Sequence, residues 1–527
     1  MTSSTAKGLE RRDDFPADPV GVPDAPPHPV VEDEQVATLA SHEDDEQTDD
    51  GPKRAWPWRV GCYGLILVLL WMITGTDSTM VIGLSATGLM LVMLGMKFPI
   101  ALTMLIPSMV ALVYIYDWET TTVLVGEMAY EDVASWSLSV VPMFVFMGML
   151  LWRSGITTEL FYAMRIAFNR VPASLAVGTN AAGGGLAAVS GSTVGVTYAL
   201  ARIGIPEMLR AGYDKRLAVG SVLVAGLSGQ LIPPSILLVI FAGLASVPVG
   251  PQLMAGIGPG VFLVLAHAVA LIALAVVRPQ LVGGKKLAKE KQTEVARIPR
   301  AEKVKAILAI WPVPLIMAVV LGGMFSGVMT ETEAGAAGAL MALILAVFRH
   351  GKASIEQIKV ATVEAVTASA AVFFLLMGAG LFSLVMADSG IAEGLAEWVT
   401  ASGFSRVQFL LIILAAYLLL GMIGETLVAM MLTVPILMPL FPALGIDPLW
   451  FGVFAVLCVE LGMILPPVGI LVYIVHGIAR DKEVNLGQTI TLKDSFIGVL
   501  SLLPISLFVI AVMIAFPGLA TWIPHNM

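Results

Sequence analysis

Residues 190–243 read SGSTVGVTYALARIGIPEMLRAGYDKRLAVGSVLVAGLSGQLIPPSILLVIFAG, and the same scaffold returns in the second half of the chain. The twin prolines set the register, because Pro233-Pro234 precedes Pro466-Pro467 by 233 residues. At that offset Gly191 meets Gly424, Thr193 meets Thr426, Pro206 meets Pro439, Gly212 meets Gly445, Asp214 meets Asp447 and Gly229 meets Gly462. These are residues that shape backbone rather than fill cores. Two copies of a helix-breaking scaffold inside apolar sequence is the pattern of a repeat-built transporter.

Working outward, the composition fits. Of the 527 residues 57% are hydrophobic and 13% charged, against about 25% charged in soluble domains. The chain reads as an all-α polytopic membrane protein. Cys62 and Cys458 lie in apolar segments without metal-site spacing, so neither a disulfide framework nor a thiolate metal site is expected. Residues 1–52 hold fourteen Asp/Glu against Lys7, Arg11 and Arg12, and this acidic tail is expected to be disordered and cytoplasmic. Because residues 1–50 are polar, no signal peptide is expected, and the first apolar segment should direct insertion itself. No feature points to nucleic acid.

Charge orients the spans. Lys53, Arg54 and Arg59 precede an extra first helix within 53–78, which places the N-terminus in the cytoplasm. Nine Lys/Arg stand against three Glu between Arg278 and Lys305, which makes 278–305 a cytoplasmic loop. The first repeat, 79–277, is expected to hold scaffold helices, a re-entrant hairpin over 172–203 and a broken helix over 216–246. The second, 306–517, holds a hairpin over 405–441 and a broken helix over 450–476, with a short tail at 518–527. The plan comprises about eleven transmembrane helices plus two re-entrant hairpins, and the charge pattern places the two repeats in opposite orientations. His267, inside a span, reads as a packed helix-contact residue.

Irregular backbone survives in hydrocarbon only where protein or a polar cavity covers it. Four breaks occur, at Ser190-Gly191-Ser192, Gly229–Pro234, Gly424-Glu425-Thr426 and Gly462–Pro467. Proline removes an amide donor and frees carbonyls of the preceding turn. Those carbonyls, with Ser or Thr hydroxyls, make an oxygen shell for a hard cation, while half-helix N-termini suit a carboxylate. Two symmetric sites follow. The first comprises Ser190, Gly191, Ser192, Thr193, Gly229, Ile232, Pro233 and Ser235. The second comprises Gly424, Glu425, Thr426, Gly462, Leu465 and Pro466. Glu425, aligned with Ser192, is an intramembrane carboxylate that either ligates a cation or carries a proton. Glu460, a turn before the second break, is read as supporting the site or as structural.

At these motifs the sequence resembles the large membrane subunit of tripartite ATP-independent periplasmic (TRAP) transporters. The residues that carry the likeness are Ser190-Gly191-Ser192, Ile205-Pro-Glu-Met208 to Gly212-Tyr-Asp214, Leu231-Ile-Pro-Pro-Ser235, Thr332-Glu-Ala334, Gly445-Ile-Asp-Pro-Leu-Trp-Phe-Gly452 and Pro466-Pro-Val-Gly469. The resemblance covers about 79–517. It implies an elevator-type transporter of the bacterial inner membrane that imports organic acid anions delivered by a soluble periplasmic binding protein. It also implies sodium as the coupling ion, no other cofactor, and a small four-helix membrane subunit as partner. Two positions depart from the family's habit: Leu465 stands where Thr is usual, and Glu425 where Asp is usual. No GxxxxGK[ST] phosphate loop occurs, and six scattered histidines offer no enzyme-like cluster. A stand-alone proton- or sodium-coupled anion carrier is the competing expectation.

Overall fold

The computed structural model describes residues 56–135, 137–284, 299–351 and 354–526. The acidic tail 1–52 and most of the basic loop (285–298) lie outside the described residues. Two compact units are distinguished. Of the first, which ends at Tyr63, only 56–63, the opening turns of a helix, are described; all that follows concerns the second, Gly64–Met527.

Helices of nine residues or more are numbered in chain order. They are α1 Trp56–Thr74, α2 Thr79–Gly95, α3 Ile100–Ile115, α4 Trp118–Ala134, α5 Val140–Arg153, α6 Ile156–Ala167, α7 Ser174–Ser190, α8 Thr193–Arg210, α9 Lys215–Leu227, α10 Ile236–Leu244 and α11 Val249–Val277. The series continues with α12 Arg300–Ala309, α13 Pro312–Phe325, α14 Glu331–His350, α15 Ser354–Asp388, α16 Ile391–Ala401, α17 Arg406–Ile423, α18 Thr426–Leu437, α19 Pro448–Gly462, α20 Ile470–Ala479 and α21 Leu492–Ala515. Among the described residues there is one isolated β-bridge, Tyr213 with Val282, and no named strand. Helices satisfy their own backbone, which a bilayer demands of any spanning segment.

The offset of 233 read from the prolines runs through the helices as well. It carries α2 onto α13, α3 onto α14, α6 onto α16, α7 onto α17, α8 onto α18, α9 onto α19 and α10 onto α20. The amphipathic α4 and the apolar α5 fall together on the 35-residue α15. In the second repeat these two stretches form one continuous helix, Ser354–Asp388. Its polar start includes Glu364, which is paired with Arg153 of α5.

Helix starts are encoded locally. Thr330 and Glu333, Ser405 and Gln408, and Thr491 and Asp494 each form a reciprocal capping box. The repeat-matched aspartates do the same work in both halves. Asp214 accepts from the Arg216 amide at 2.9 Å to start α9, and Asp447 accepts from the Leu449 amide at 2.8 Å to start α19.

Two groups of packed helices result. In one, α15 lies against α3 and α5, α14 lies against α5, and α2 lies against α3. In the other, α9 is surrounded by α7, α8 and α21, α19 lies against α17, and α20 lies against α8. Ion pairs fasten the second group: Lys215 and Arg216 at the start of α9 reach Asp494 at the start of α21 at 2.7 and 2.9 Å. His267 is fully buried, with Nε2 3.0 Å from Ser506 Oγ of α21, a helix-to-helix contact.

Among the described residues six helices are long and apolar enough to cross a bilayer, or seven if α5 and its bent continuation form one span. The larger count expected from sequence includes shorter and interrupted elements. At about 1.5 Å per residue, α2 with 17 residues and α3 with 16 stop short of a full crossing. The spans over 216–246 and 450–476 are divided at their prolines. The chain is a multi-pass all-α membrane protein.

Candidate cation and substrate site

Four helices begin at the four backbone breaks: α8, α10, α18 and α20. Proline explains two of these starts. Helix α9 ends at Leu227, a short 3-10 turn spans Ser228–Gln230, and α10 opens only after Pro233 and Pro234, which have no amide to donate. Ser235 then caps α10 through its hydroxyl, which accepts from the Leu238 amide at 3.3 Å. In the second half α19 ends at Gly462, and α20 opens after Pro466-Pro467 with Gly469 at φ +46° as its N-cap. Both Pro-Pro bonds are cis.

The first hairpin tip docks on the first break. Gly191 has φ +57°, and a Cβ there would sit 3.2 Å from Ile236 Cγ1 and 3.4 Å from the Pro234 carbonyl oxygen. Only glycine combines that backbone with that approach. Ser192 caps α8, accepting from the Gly195 amide at 3.3 Å. Pro233 and Ser235 are buried, Gly229 lies within the buried 3-10 turn, and the half-buried Ile232 packs towards Gly184 of α7 and Gly260 of α11. Ser190 ends α7, and its side chain lies outside those described.

The second tip docks differently. Its contact with α19 lies further down the hairpin, where a Cβ on Gly462 would come within 2.6 Å of the Leu418 carbonyl and 2.8 Å of Gly421 Cα. Gly424 closes α17, with its amide donating to Leu420 O at 2.8 Å. Glu425 is the N-cap of α18 without a side-chain capping bond, and it is exposed. Leu465 and Pro466 are half-buried, and Pro467 is exposed. The tip residue that reaches the neighbourhood of the second break is Thr426, whose hydroxyl lies 3.4 Å from Met463 Sδ.

The two sites meet at a residue that sequence reasoning left on the margin. Glu460, 2% exposed, accepts from Thr193 Oγ1 at Oε2 and from Thr426 Oγ1 at Oε1, both at 2.8 Å. Each threonine opens the second arm of its hairpin, and the pair is related by the repeat offset. Position 227, which the offset matches to Glu460, is Leu, so the repeat gave no hint of the bridge. The available signal was a carboxylate inside the apolar run of 448–462.

Chemically, the two tips and the breaks beside them offer neutral oxygens, carboxylates and helix N-termini. Ser192, Thr193 and the Pro234 carbonyl at one tip, and Thr426 and Glu425 at the other, are hard oxygen donors suited to an alkali cation. The N-termini carry partial positive charge suited to an anion.

A fold of two matched halves, each with a hairpin tip set against a broken helix, is that of a repeat-built membrane transporter. The family model described as "Tripartite ATP-independent periplasmic transporter, DctM component" matches residues 87–519, and the chain belongs to that family. It is similar to the C4-dicarboxylate TRAP transporter large permease protein DctM of Pseudomonas aeruginosa, at 29% identity over 74% of this chain and 88% of that protein. It is also similar to the sialic acid TRAP transporter large permease protein SiaM of Vibrio cholerae, at 28% identity over 74% of this chain and 87% of the relative. The ectoine/5-hydroxyectoine TRAP transporter large permease protein UehC of Ruegeria pomeroyi shares 27% identity over 72% of this chain and 86% of its own length. Among solved structures, the Alcanivorax borkumensis YdaH transporter aligns with a TM-score of 0.50 at 16% identity, covering 77% of this chain and 90% of that one, a likeness of fold alone.

Proposed function

We propose that this chain is the permease subunit of a binding-protein-dependent, sodium-coupled importer of organic acid anions in the bacterial inner membrane. A small four-helix membrane subunit braces it, and a soluble periplasmic binding protein delivers the substrate. The N-terminus and the 278–305 loop lie in the cytoplasm. The C4-dicarboxylate, sialic acid and ectoine named for the relatives each carry a carboxyl group, which supports the substrate class. Movement is of the elevator kind: α7–α11 with α17–α21 carry the sites past a scaffold of α2–α5 and α13–α15, a division supported by which helices pack together.

The observation that carries this reading is the convergence of repeat-matched Thr193 and Thr426, each at the start of a half-helix, on the buried Glu460. Neutral oxygens at two tips allow a cation to lose its hydration shell, and helix N-termini oppose the substrate's negative charge. The exposed Glu425 carboxylate favours one other reading, a stand-alone carrier coupled to protons. Reconstitution distinguishes the two. Proteoliposomes holding this chain alone, given a sodium gradient and labelled succinate, sialic acid or ectoine, will show no uptake. Adding a small four-helix membrane subunit and a substrate-loaded periplasmic binding protein will restore uptake. Robust uptake by the chain alone would replace this reading with the stand-alone carrier.

A further inference from the structure

Two carboxylates are almost wholly buried among the described residues, and they are treated differently. Asp494 is matched by Lys215, Arg216 and the Thr491 hydroxyl. Glu460 is held by two neutral hydroxyls, Thr193 Oγ1 and Thr426 Oγ1, one from each hairpin and each at 2.8 Å. A buried carboxyl group whose partners are two neutral hydroxyls is expensive to keep, so its retention calls for a use.

We propose that Glu460 couples the two hairpin tips, acting as a positioning residue whose single carboxylate holds Thr193 and Thr426 in place together, so that a cation bound at one tip prepares the other. The proposal rests on reading the tips as cation sites. A threonine hydroxyl can donate its proton to Glu460 while its lone pairs face a cation. A cation on Thr193 polarises that hydroxyl, shortens its bond to Oε2 and fixes the carboxylate. Oε1 is then held where Thr426 must meet it. The second tip loses less freedom when its own cation arrives, which is positive cooperativity through pre-organisation. Linkage requires the effect to run equally in the other direction. The bridge is asymmetric in origin, since α19 supplies Glu460 whereas α9 has Leu227 at the matched position. One residue of the second repeat therefore serves both.

Hydrogen exchange on the purified full-length chain tests this, with sodium chloride titrated against choline chloride at constant ionic strength. Protection is read separately in peptides covering 191–197 and 424–430. In the wild type both tips gain protection together, with a Hill coefficient above one. Thr426→Val should raise the sodium midpoint for protection of the first tip by about five-fold or more, although Thr426 belongs to the other hairpin, and Thr426→Ser should restore it. Glu460→Gln, which has the same shape but cannot accept both hydroxyls through its two terminal atoms, should shift both midpoints and reduce the Hill coefficient to one. A Thr426→Val effect confined to the second tip, or an unchanged Hill coefficient in Glu460→Gln, overturns the coupling while leaving the cation sites standing. No sodium-dependent protection at either tip of the wild type overturns the cation reading and the coupling with it.

Discussion

The two Pro-Pro breaks share a backbone plan and differ in cover. Pro233, Pro234 and Ser235 are all buried, whereas Pro467 and Val468 are exposed, Val468 at 40%. Gly191 presses on Ile236 and Pro234, while a Cβ on Gly424 would meet only its own Leu420 carbonyl, at 3.6 Å. The first tip is seated on its break, and the second is held lower down by Gly421 against Gly462. Residues that set backbone are the same in both copies: Gly191 and Gly424, Asp214 and Asp447, Gly229 and Gly462, and the prolines. Among residues that offer ligands only the threonines, Thr193 and Thr426, match, since Ser192 is matched by Glu425 and Ser235 by Val468. The scaffold and one threonine are common to both copies while the other oxygen donors differ, leaving a covered first break and a more open second one near the exposed Glu425.

The largest effect tests the open half. If the second site relies on Glu425 for charge, Glu425→Gln will weaken sodium activation of uptake by about 10- to 100-fold, the range for losing a charged partner. Equal sodium activation in both proteins would end the contrast between an acidic and a neutral site. The next test strikes the seat of the second hairpin. A Cβ on Gly462 meets backbone at 2.6 Å, so Gly462→Ala should cost about 1–3 kcal/mol, read as a lower thermal midpoint in detergent. A wild-type midpoint would show that the second hairpin is not held there.

In the covered half, Ser192→Ala removes an uncharged oxygen. The half-saturating sodium concentration for uptake should rise about five-fold, matching a neutral hydrogen-bonding group of roughly 1 kcal/mol, and the lost cap costs about 1 kcal/mol of stability. An unchanged sodium dependence at normal protein level removes Ser192 from the site. The smallest effect sharpens what the copies share. Asp214→Ala and Asp447→Ala each delete one helix cap and should lower stability by about 1 kcal/mol, to similar extents. A large inequality, measured by thermal unfolding of both variants, would show that the matched caps have diverged as the ligands have.

Much of this was legible because it is written in single residues. Proline cannot donate, glycine suits the left-handed backbone and close approach of position 191, and aspartate caps the helix that follows it. The offset between the Pro-Pro pairs therefore locates the repeat, and the helices follow the same offset. The unbroken length of α15 was less legible, because Glu356, Gln357, Lys359 and Glu364 make its start look like loop to a hydropathy reading, although such residues favour helix. Glu460 was least legible of all. Its contact with Thr193 spans 267 residues, and no local period or repeat match points to it. A contact between two hairpins and a third helix belongs to packing, which a pattern along the chain does not carry.

The most direct measurement concerns what drives accumulation. Wild-type chain is reconstituted with its small subunit and loaded binding protein, and uptake is followed under an imposed sodium gradient and, separately, under an imposed pH gradient in sodium-free buffer. Cation sites built from hydroxyl, carbonyl and carboxylate oxygens predict accumulation that follows sodium and changes little across mild pH. Accumulation driven by the pH gradient without sodium would contradict it.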